Sequence, residues 1–285
     1  MRTEIRHDVF CLQADNPSAM TGAGTNTYVL KGPLGAVVID PGPDLPAHRS
    51  AVMAEMAGQS PIAILITHAH LDHTEMVPWL AGQTGAPVMS FGPIRREQWA
   101  DLDAIGGGEG ADRQHQADLS LQDGMTMTLA GLQITAHHTP GHMSGHLCFG
   151  YGDILFSGDH VMGWSTSLVS PPDGDMAAYL RSLHKLLGGQ WSMFLAGHGA
   201  PILNPEVRVQ ELIVHRRARE AMILTAMRGQ SCNALQIARK VYTDTAPALL
   251  PAAARNVLAH LIDLSDRNIV HPRGPIGTET LFELI

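Results

Sequence analysis

Between positions 68 and 73 the chain carries three histidines and one aspartate: His68, His70, Asp72 and His73. They follow the apolar run 62–66, a β-branched and aliphatic stretch that reads as a buried strand. The carboxyl ends of strands are where open α/β sheets place their ligands. Residues two apart in extended backbone project to the same side, so His68 and His70 point together. Asp72 and His73 arrive as the chain turns toward a helix and point elsewhere. One loop thus offers two ligands to one metal ion and two to another. Imidazole suits zinc, iron and manganese, and the added carboxylate shifts the site toward harder ions and hydrolytic chemistry. A single histidine here would ordinarily be a surface or core residue; four ligand types in six positions are not explained that way.

Later segments repeat the pattern of apolar strand, turn and ligand. His142 stands in Thr139-Pro140-Gly141-His142, a Pro-Gly turn at a strand end that aims one imidazole. Residues 153–157 lead into Gly158-Asp159, and 191–196 into Gly197-His198-Gly199. The expected first site is His68, His70 and His142, and the second is Asp72, His73 and His198. Asp159 lies between them, one carboxylate serving both ions. Two divalent ions, zinc before manganese or iron, about 3.5 Å apart, bring a bridging water toward a neutral pKa and polarise the substrate oxygen under attack. Asp72 and Asp159 are therefore expected to be catalytic as well as ligating. His146 is expected to support His142 and to take part in catalysis. Asp40, at the end of strand 36–39, is either a turn-forming carboxylate or an acceptor that orients a ligand histidine through its other ring nitrogen. His137 and His138 read as structural, His115 as solvated, and His160 stays unassigned. No Gly-x-Ser-x-Gly nucleophile elbow is present.

The elements that must position these residues alternate. Strands are expected over 25–30, 36–39, 62–66, 86–90, 125–129, 132–138, 153–157 and 191–196, and helices near 46–58, from 75 to a stop near Gly82, and over 176–187. Residues 92–118 are glycine-rich and aperiodic, and read as a mobile surface excursion bordering the site.

Composition narrows the class. Of 285 residues, 45% are hydrophobic and 16% charged, which permits a sizeable core. No run approaches the roughly 20 apolar residues of a membrane span, and the first 20 residues lack signal- or transit-peptide character. A soluble cytoplasmic protein is the expectation. Three scattered cysteines form neither a CxxC pair nor a disulfide framework. The net charge of −8 is uneven: 9 basic and 19 acidic groups up to residue 205, 10 and 8 after it. That is no dense basic footprint for nucleic acid.

The series THxHxDH, TPGHxxGH, SGD and AGHG resembles the metallo-β-lactamase superfamily. TPGHMSGHLCF is similar to the glyoxalase II branch. GTNTYVL, the loop containing PPDGDM and the helix segment 213–220 resemble the lactamase-like protein beta 2 group, which has an added C-terminal domain. The resemblance implies an α/β fold: a four-layer αββα sandwich over 1–205, with metals along one sheet edge, and a small winged-helix-like domain over 206–285. It places Asn26 near the active-site mouth. In the second domain, helices over 206–228 (stopped by Gly229), 231–242 (with a Ser cap) and 251–267, then a hairpin over 269–284, match the winged-helix shape.

The expected function is a metal-dependent hydrolase of small ester, thioester, lactone or phosphodiester substrates. The related group includes members acting on single-stranded RNA, which the acidic charge disfavours here. A mononuclear iron persulfide dioxygenase shares the fold and uses only two histidines and one aspartate. A third reading is a nucleic-acid-binding regulator whose third helix offers Arg255, His260 and Arg267. The C-terminal domain is otherwise a packing or homodimerisation module, with Arg216, Arg217 and Arg219 either an exposed helix face or an anion clamp.

Overall fold

The computed structural model describes residues 1–92, 108 and 110–285. Most of the stretch expected to be a mobile excursion lies outside these residues.

Two sheets form the middle of the molecule. The first orders β1 (Arg2–Arg6), β2 (Val9–Gln13), β3 (Asn26–Gly32), β4 (Gly35–Ile39), β5 (Pro61–Leu65), β6 (Val88–Phe91) and β7 (Leu119–Leu121) in sequence. The second runs β12 (Met193–Ala196), β11 (Ile154–Gly158), β10 (Leu147–Tyr151), β9 (Leu132–His138) and β8 (Thr126–Leu129). Strand alternation sorts side chains between layers. Val37, Ile39, Leu65, Leu147, Phe149, Ile154 and Phe156 meet between the sheets. Their neighbours Val38, Ile64 and Ile66 turn outward under α1 (Pro46–Glu55) and α3 (Val77–Thr84). Cys148, Leu155 and Phe194 turn outward under α4 (Met176–Leu186) and α5 (Pro205–Ala226). Strands buried on both faces read as continuous apolar runs, as 36–39 and 62–66 do. The result is the expected αββα sandwich.

The helix ends follow local chemistry. Proline opens α1, where its missing N–H costs nothing. Asp175 caps α4 by accepting from Ala178 N at 2.8 Å. The stop expected at Gly82 falls instead at Gly85, whose φ of +69° supplies the left-handed cap; Gly82 lies within α3. β7 and β10 were not anticipated: β7 is three residues long, and β10 follows the histidine turn directly.

After the sandwich, α5 carries two cores. Val209, Leu212 and Ile213 pack with the sandwich, while Ile223 packs with the C-terminal unit, so the division expected at 205 falls where a helix shared by both begins. α6 (Ala234–Val241) is capped by Asn233 rather than Ser231, because Asn233 and Gln236 form a reciprocal capping box. α7 (Leu250–Asp266) and the hairpin of β13 (Val270–Pro272) and β14 (Phe282–Leu284) complete the winged-helix unit. Among the described residues no helix is long and apolar enough to cross a membrane.

β4, β5 and β6 run parallel, as do β11 and β12, so their carboxyl ends gather at one edge. Leu147 N donates to Thr67 O at 2.7 Å and Asn26 N to Gly197 O at 2.7 Å, stitching the two sheets together along that edge.

Candidate metal centre

The histidine loop leaves β5 extended and enters the one-turn helix α2 (Leu71–Thr74), with His70 at its N-cap. This change of backbone sends His68 and His70 one way and Asp72 and His73 another. Two clusters result: His68, His70, His142 and Asp159, and Asp72, His73 and His198. Within each, the ligand atoms lie within 4.8 Å of one another. In the first, His68 Nε2 is 2.9 Å and His142 Nε2 3.1 Å from His70 Nδ1. In the second, Asp72 Oδ2 is 3.4 Å from His73 Nε2 and 3.3 Å from His198 Nε2.

Asp159 faces both clusters. Its Oδ2 is 3.9 Å from His68 Nε2, 3.8 Å from His142 Nε2 and 3.3 Å from His198 Nε2. Its Oδ1 is 3.6 Å from His73 Nε2.

The outward nitrogen of four histidines is held by the fold, which fixes the tautomer. His142 Nδ1 donates to Leu168 O at 2.6 Å, and His198 Nδ1 to Gly24 O at 3.3 Å. His73 Nδ1 donates to Asp40 Oδ2 at 3.0 Å. His68 Nδ1 donates to Thr67 Oγ1 at 3.0 Å, and that hydroxyl donates to Asp40 Oδ2 at 2.6 Å. In the neutral ring each Nε2 is therefore the lone pair, turned inward. Asp40 thus orients one histidine directly and another through Thr67, and it also accepts from Thr67 N at 2.7 Å. Its φ of +49° is unusual for a non-glycine residue. These bonds offset that strain.

Converging lone pairs and carboxylates call for a cation. Burial, then the neighbouring His142, pushes the His70 imidazole down to about 3, and burial with His73 and His70 holds His68 well below its ordinary value. Both are neutral, as ligation requires. Burial disfavours the charged form of His73 as well, yet Asp72, Asp159 and Asp40 outweigh it and raise the group to about 10. His73 Nε2 and Asp159 Oδ1 are buried without a hydrogen-bond partner among the described residues. The donor set fits divalent metal.

Packing leaves no slack around it. A Cβ on Gly197 would stand 2.3 Å from Asp159 Oδ1 and 2.7 Å from His73 Cε1. Gly197→Ala is expected to weaken metal binding by about tenfold or more, read by competition with a chelator; unchanged affinity would show that Asp159 and His73 move freely.

Three expectations change. His146 is fully buried, its ring stacked on His68 at 5.2 Å and its Nδ1 2.9 Å from Thr139 Oγ1. It stands behind the ligands, out of reach of a substrate, so a catalytic part for it is withdrawn and a supporting one kept. Asn26, which the resemblance puts near the mouth, is buried; its amide donates to Ala196 O at 3.1 Å and Gly199 O at 2.9 Å, holding the strand-end loop that carries His198. Arg216 is 1% exposed, on neither an exposed face nor an anion clamp. His115 is half-buried, 3.2 Å from Ser90 Oγ, rather than solvated.

Sequence reasoning missed Thr67, although it opens the THxHxDH motif, and Thr25, whose Oγ1 donates to Asp72 Oδ2 at 2.9 Å. It also missed the carbonyls of Gly24 and Leu168, which leave no trace in residue type.

This edge site on a four-layer sandwich matches a family model described as the metallo-beta-lactamase superfamily over residues 20–198. The chain belongs to that superfamily, whose members are typically hydrolytic enzymes. A model of the beta-lactamase associated winged helix domain matches residues 234–274. The beta-lactamase-like protein 2 homolog of Drosophila melanogaster is 31% identical over 277 residues, 92% of this chain and 89% of that protein. An atrochrysone carboxyl ACP thioesterase of Aspergillus fumigatus is 32% identical over 222 residues; these span 75% of this chain and 63%, under two thirds, of that protein. The crystal structure of a metallo-beta-lactamase family protein from Thermus thermophilus shares the fold, with a TM-score of 0.82 at 24% identity over 99% of this chain and 100% of that one.

Proposed function

We propose that the chain is a dinuclear metal-dependent hydrolase acting on a small acyl ester or thioester in the cytoplasm. The observation that carries this reading is the position of Asp159, with ligand atoms of both clusters within 4 Å of its carboxylate. His68, His70 and His142 would hold one divalent ion, Asp72, His73 and His198 a second, and Asp159 both. Zinc suits the imidazole-rich donor set, with manganese or iron as alternatives. Such ions, when bound, bring the pKa of water toward neutrality and stabilise negative charge developing on the substrate oxygen.

The chain's own residues supply the rest. Asp72 has 28% of its side chain exposed against 11% for Asp159, so it is the ligand carboxylate that meets incoming substrate. Thr25 Oγ1 fixes its Oδ2, and the carboxylate would take a proton from the attacking water. Asp40 and Thr67 hold His73 and His68 in register, and the pinned tautomers spare the site reorganisation during the reaction.

The thioesterase relative supports an acyl substrate. A phosphodiester in RNA is the poorer fit: the chain is acidic, and the α7 residues that a winged helix would turn to nucleic acid are engaged internally. Arg255 donates to Ser170 Oγ at 2.9 Å, His260 is fully buried, and Arg267 pairs with Glu220 and Asp263.

The test is a hydrolysis panel on metal-loaded protein, with thioester, ester, lactone, phosphodiester and RNA substrates beside metal analysis. Two ions per chain and acyl substrates turned over at least about tenfold faster than phosphodiesters are expected. One iron per chain with oxygen uptake would replace this reading by the dioxygenase one.

A further inference from the structure

The C-terminal unit reaches the metal ligands through three residues of the loop that follows β11, Ser167, Leu168 and Val169. Together they are bonded to the sandwich site on one side and to α5 and α7 on the other. Ser167 Oγ donates to the backbone oxygens of Asp159 at 2.5 Å and His160 at 2.9 Å. Leu168 O accepts from His142 Nδ1. From the opposite side, Arg216 on α5 donates to Ser167 O, and Asn256 Oδ1 on α7 accepts from Val169 N at 3.0 Å. Arg216 and Asn256 are bonded to each other at 3.1 Å.

The arrangement is buried. Arg216 is 1% and Asn256 9% exposed, and Ser167 and Val169 are fully covered. The Arg216 guanidinium also lies over the Tyr179 ring, 5.1 Å from its centroid, and Tyr179 OH donates to His160 O at 3.1 Å. A buried arginine is expensive unless its donors are used. Here one terminal nitrogen bonds the Ser167 carbonyl and the other Asn256 Oδ1, tying α5 and α7 to the loop beside His142 and Asp159, while Nε has no partner among the described residues.

We infer that Arg216 and Asn256 are positioning residues of the metal centre, so that the winged-helix unit sets how tightly the first ion is held. This rests on the dinuclear reading above. Asn256 fixes Val169 N, Arg216 fixes Ser167 O, and the Leu168 carbonyl between them is thereby aimed at His142 Nδ1. That bond keeps the His142 Nε2 lone pair turned to the first cluster. Loss of either anchor frees the carbonyl and the ring with it. The second cluster's own ligands, His73, Asp72 and His198, are held by Asp40, Thr25 and Gly24, none of which touches this loop, so it is disturbed only through the shared Asp159 and loses less than the first. Groups that bond to ligands affect metal affinity by about 10- to 100-fold. One further bond removed, the expected loss here is about tenfold.

The experiment is zinc titration of the full chain against a competing chelator, with visible spectra of the cobalt-loaded protein and melting of the metal-free protein. Asn256→Leu removes the acceptor, and Asn256→Asp keeps it for both Val169 N and Arg216. The expected result is a first site weakened about tenfold with an altered cobalt spectrum in Asn256→Leu. The second site weakens clearly less than the first, and Asn256→Asp recovers both the affinity and the spectrum. Equal weakening of both sites with a lowered metal-free melting temperature in both variants would reduce Asn256 to general stability and overturn the inference. So would wild-type affinities in Asn256→Leu while the wild type holds two ions. A wild-type chain that takes up no second ion would fail the dinuclear reading itself and this one with it.

Discussion

Asp159→Ala is expected to strip stable metal from both clusters and to lower kcat/KM by three orders of magnitude or more, about 4 kcal/mol at 1.36 kcal/mol per decade. The reason is geometric. Asp159 Oδ2 lies within 4 Å of ring nitrogens in both clusters, and Oδ1 faces His73. Although burial opposes its charge, His198 and His73 hold the carboxyl well below the usual range, so it is an anion throughout the working pH range. Its removal leaves five imidazoles and Asp72 to hold two dications, with one negative charge in place of two. His198→Ala provides the contrast: it takes a ligand from the second cluster alone, and about one ion per chain is expected to remain. Metal content by mass spectrometry, beside kinetics, separates the two variants. Two ions retained in Asp159→Ala would show that the carboxylate is not shared.

The ligands were legible because their chemistry demands residue types that stand out at strand ends. His68, His70, His142 and His198 each follow an apolar strand and a turn, and a side chain that must meet a metal has few substitutes. The sandwich was legible because its inner strands are buried on both faces and read as unbroken apolar runs. What supports the ligands was harder to see. Asp40 announced itself only as a carboxylate after a strand, and its left-handed backbone and three bonds to Thr67 and His73 appear only in three dimensions. Leu168 contributes a carbonyl, which any residue would provide.

Arg216 shows the opposite failure. Three arginines in four positions of an amphipathic helix look like one basic face, yet the helix carries Arg217 to the surface and Arg216 into the seam between units. Its burial is a consequence of α7 packing beside α4. That packing is set by contacts distant in sequence, so periodicity within α5 could not disclose it. The same packing engages Arg255 with Ser170 and buries His260, two of the three residues that the third helix was expected to offer to nucleic acid.

The seam has a second consequence, for stability in acid. His260 on α7 is fully buried, and neither ring nitrogen has a hydrogen-bond partner among the described residues. Burial, then Arg216, His215 and Arg267, pushes its imidazole down to about 3. In the unfolded chain it titrates near 6.5. Between those values the unfolded state binds a proton that the folded state refuses, so stability rises with pH across this window and falls as the solution is acidified. The penalty at pH 5 is about 2 kcal/mol, and it grows by about 1.4 kcal/mol for each further unit down to the folded value. His260→Leu cannot be protonated, and its buried site asks for no polar group. Relative to wild type, the variant should therefore gain about 2 kcal/mol between pH 8 and pH 5, whatever its stability at pH 8. Urea unfolding of both chains at the two pH values, with chelator present throughout so that acid release of metal does not enter, measures that difference. Parallel pH profiles would mean that the imidazole is protonated in the folded seam, and that α7 and α5 part far enough there to admit the charge.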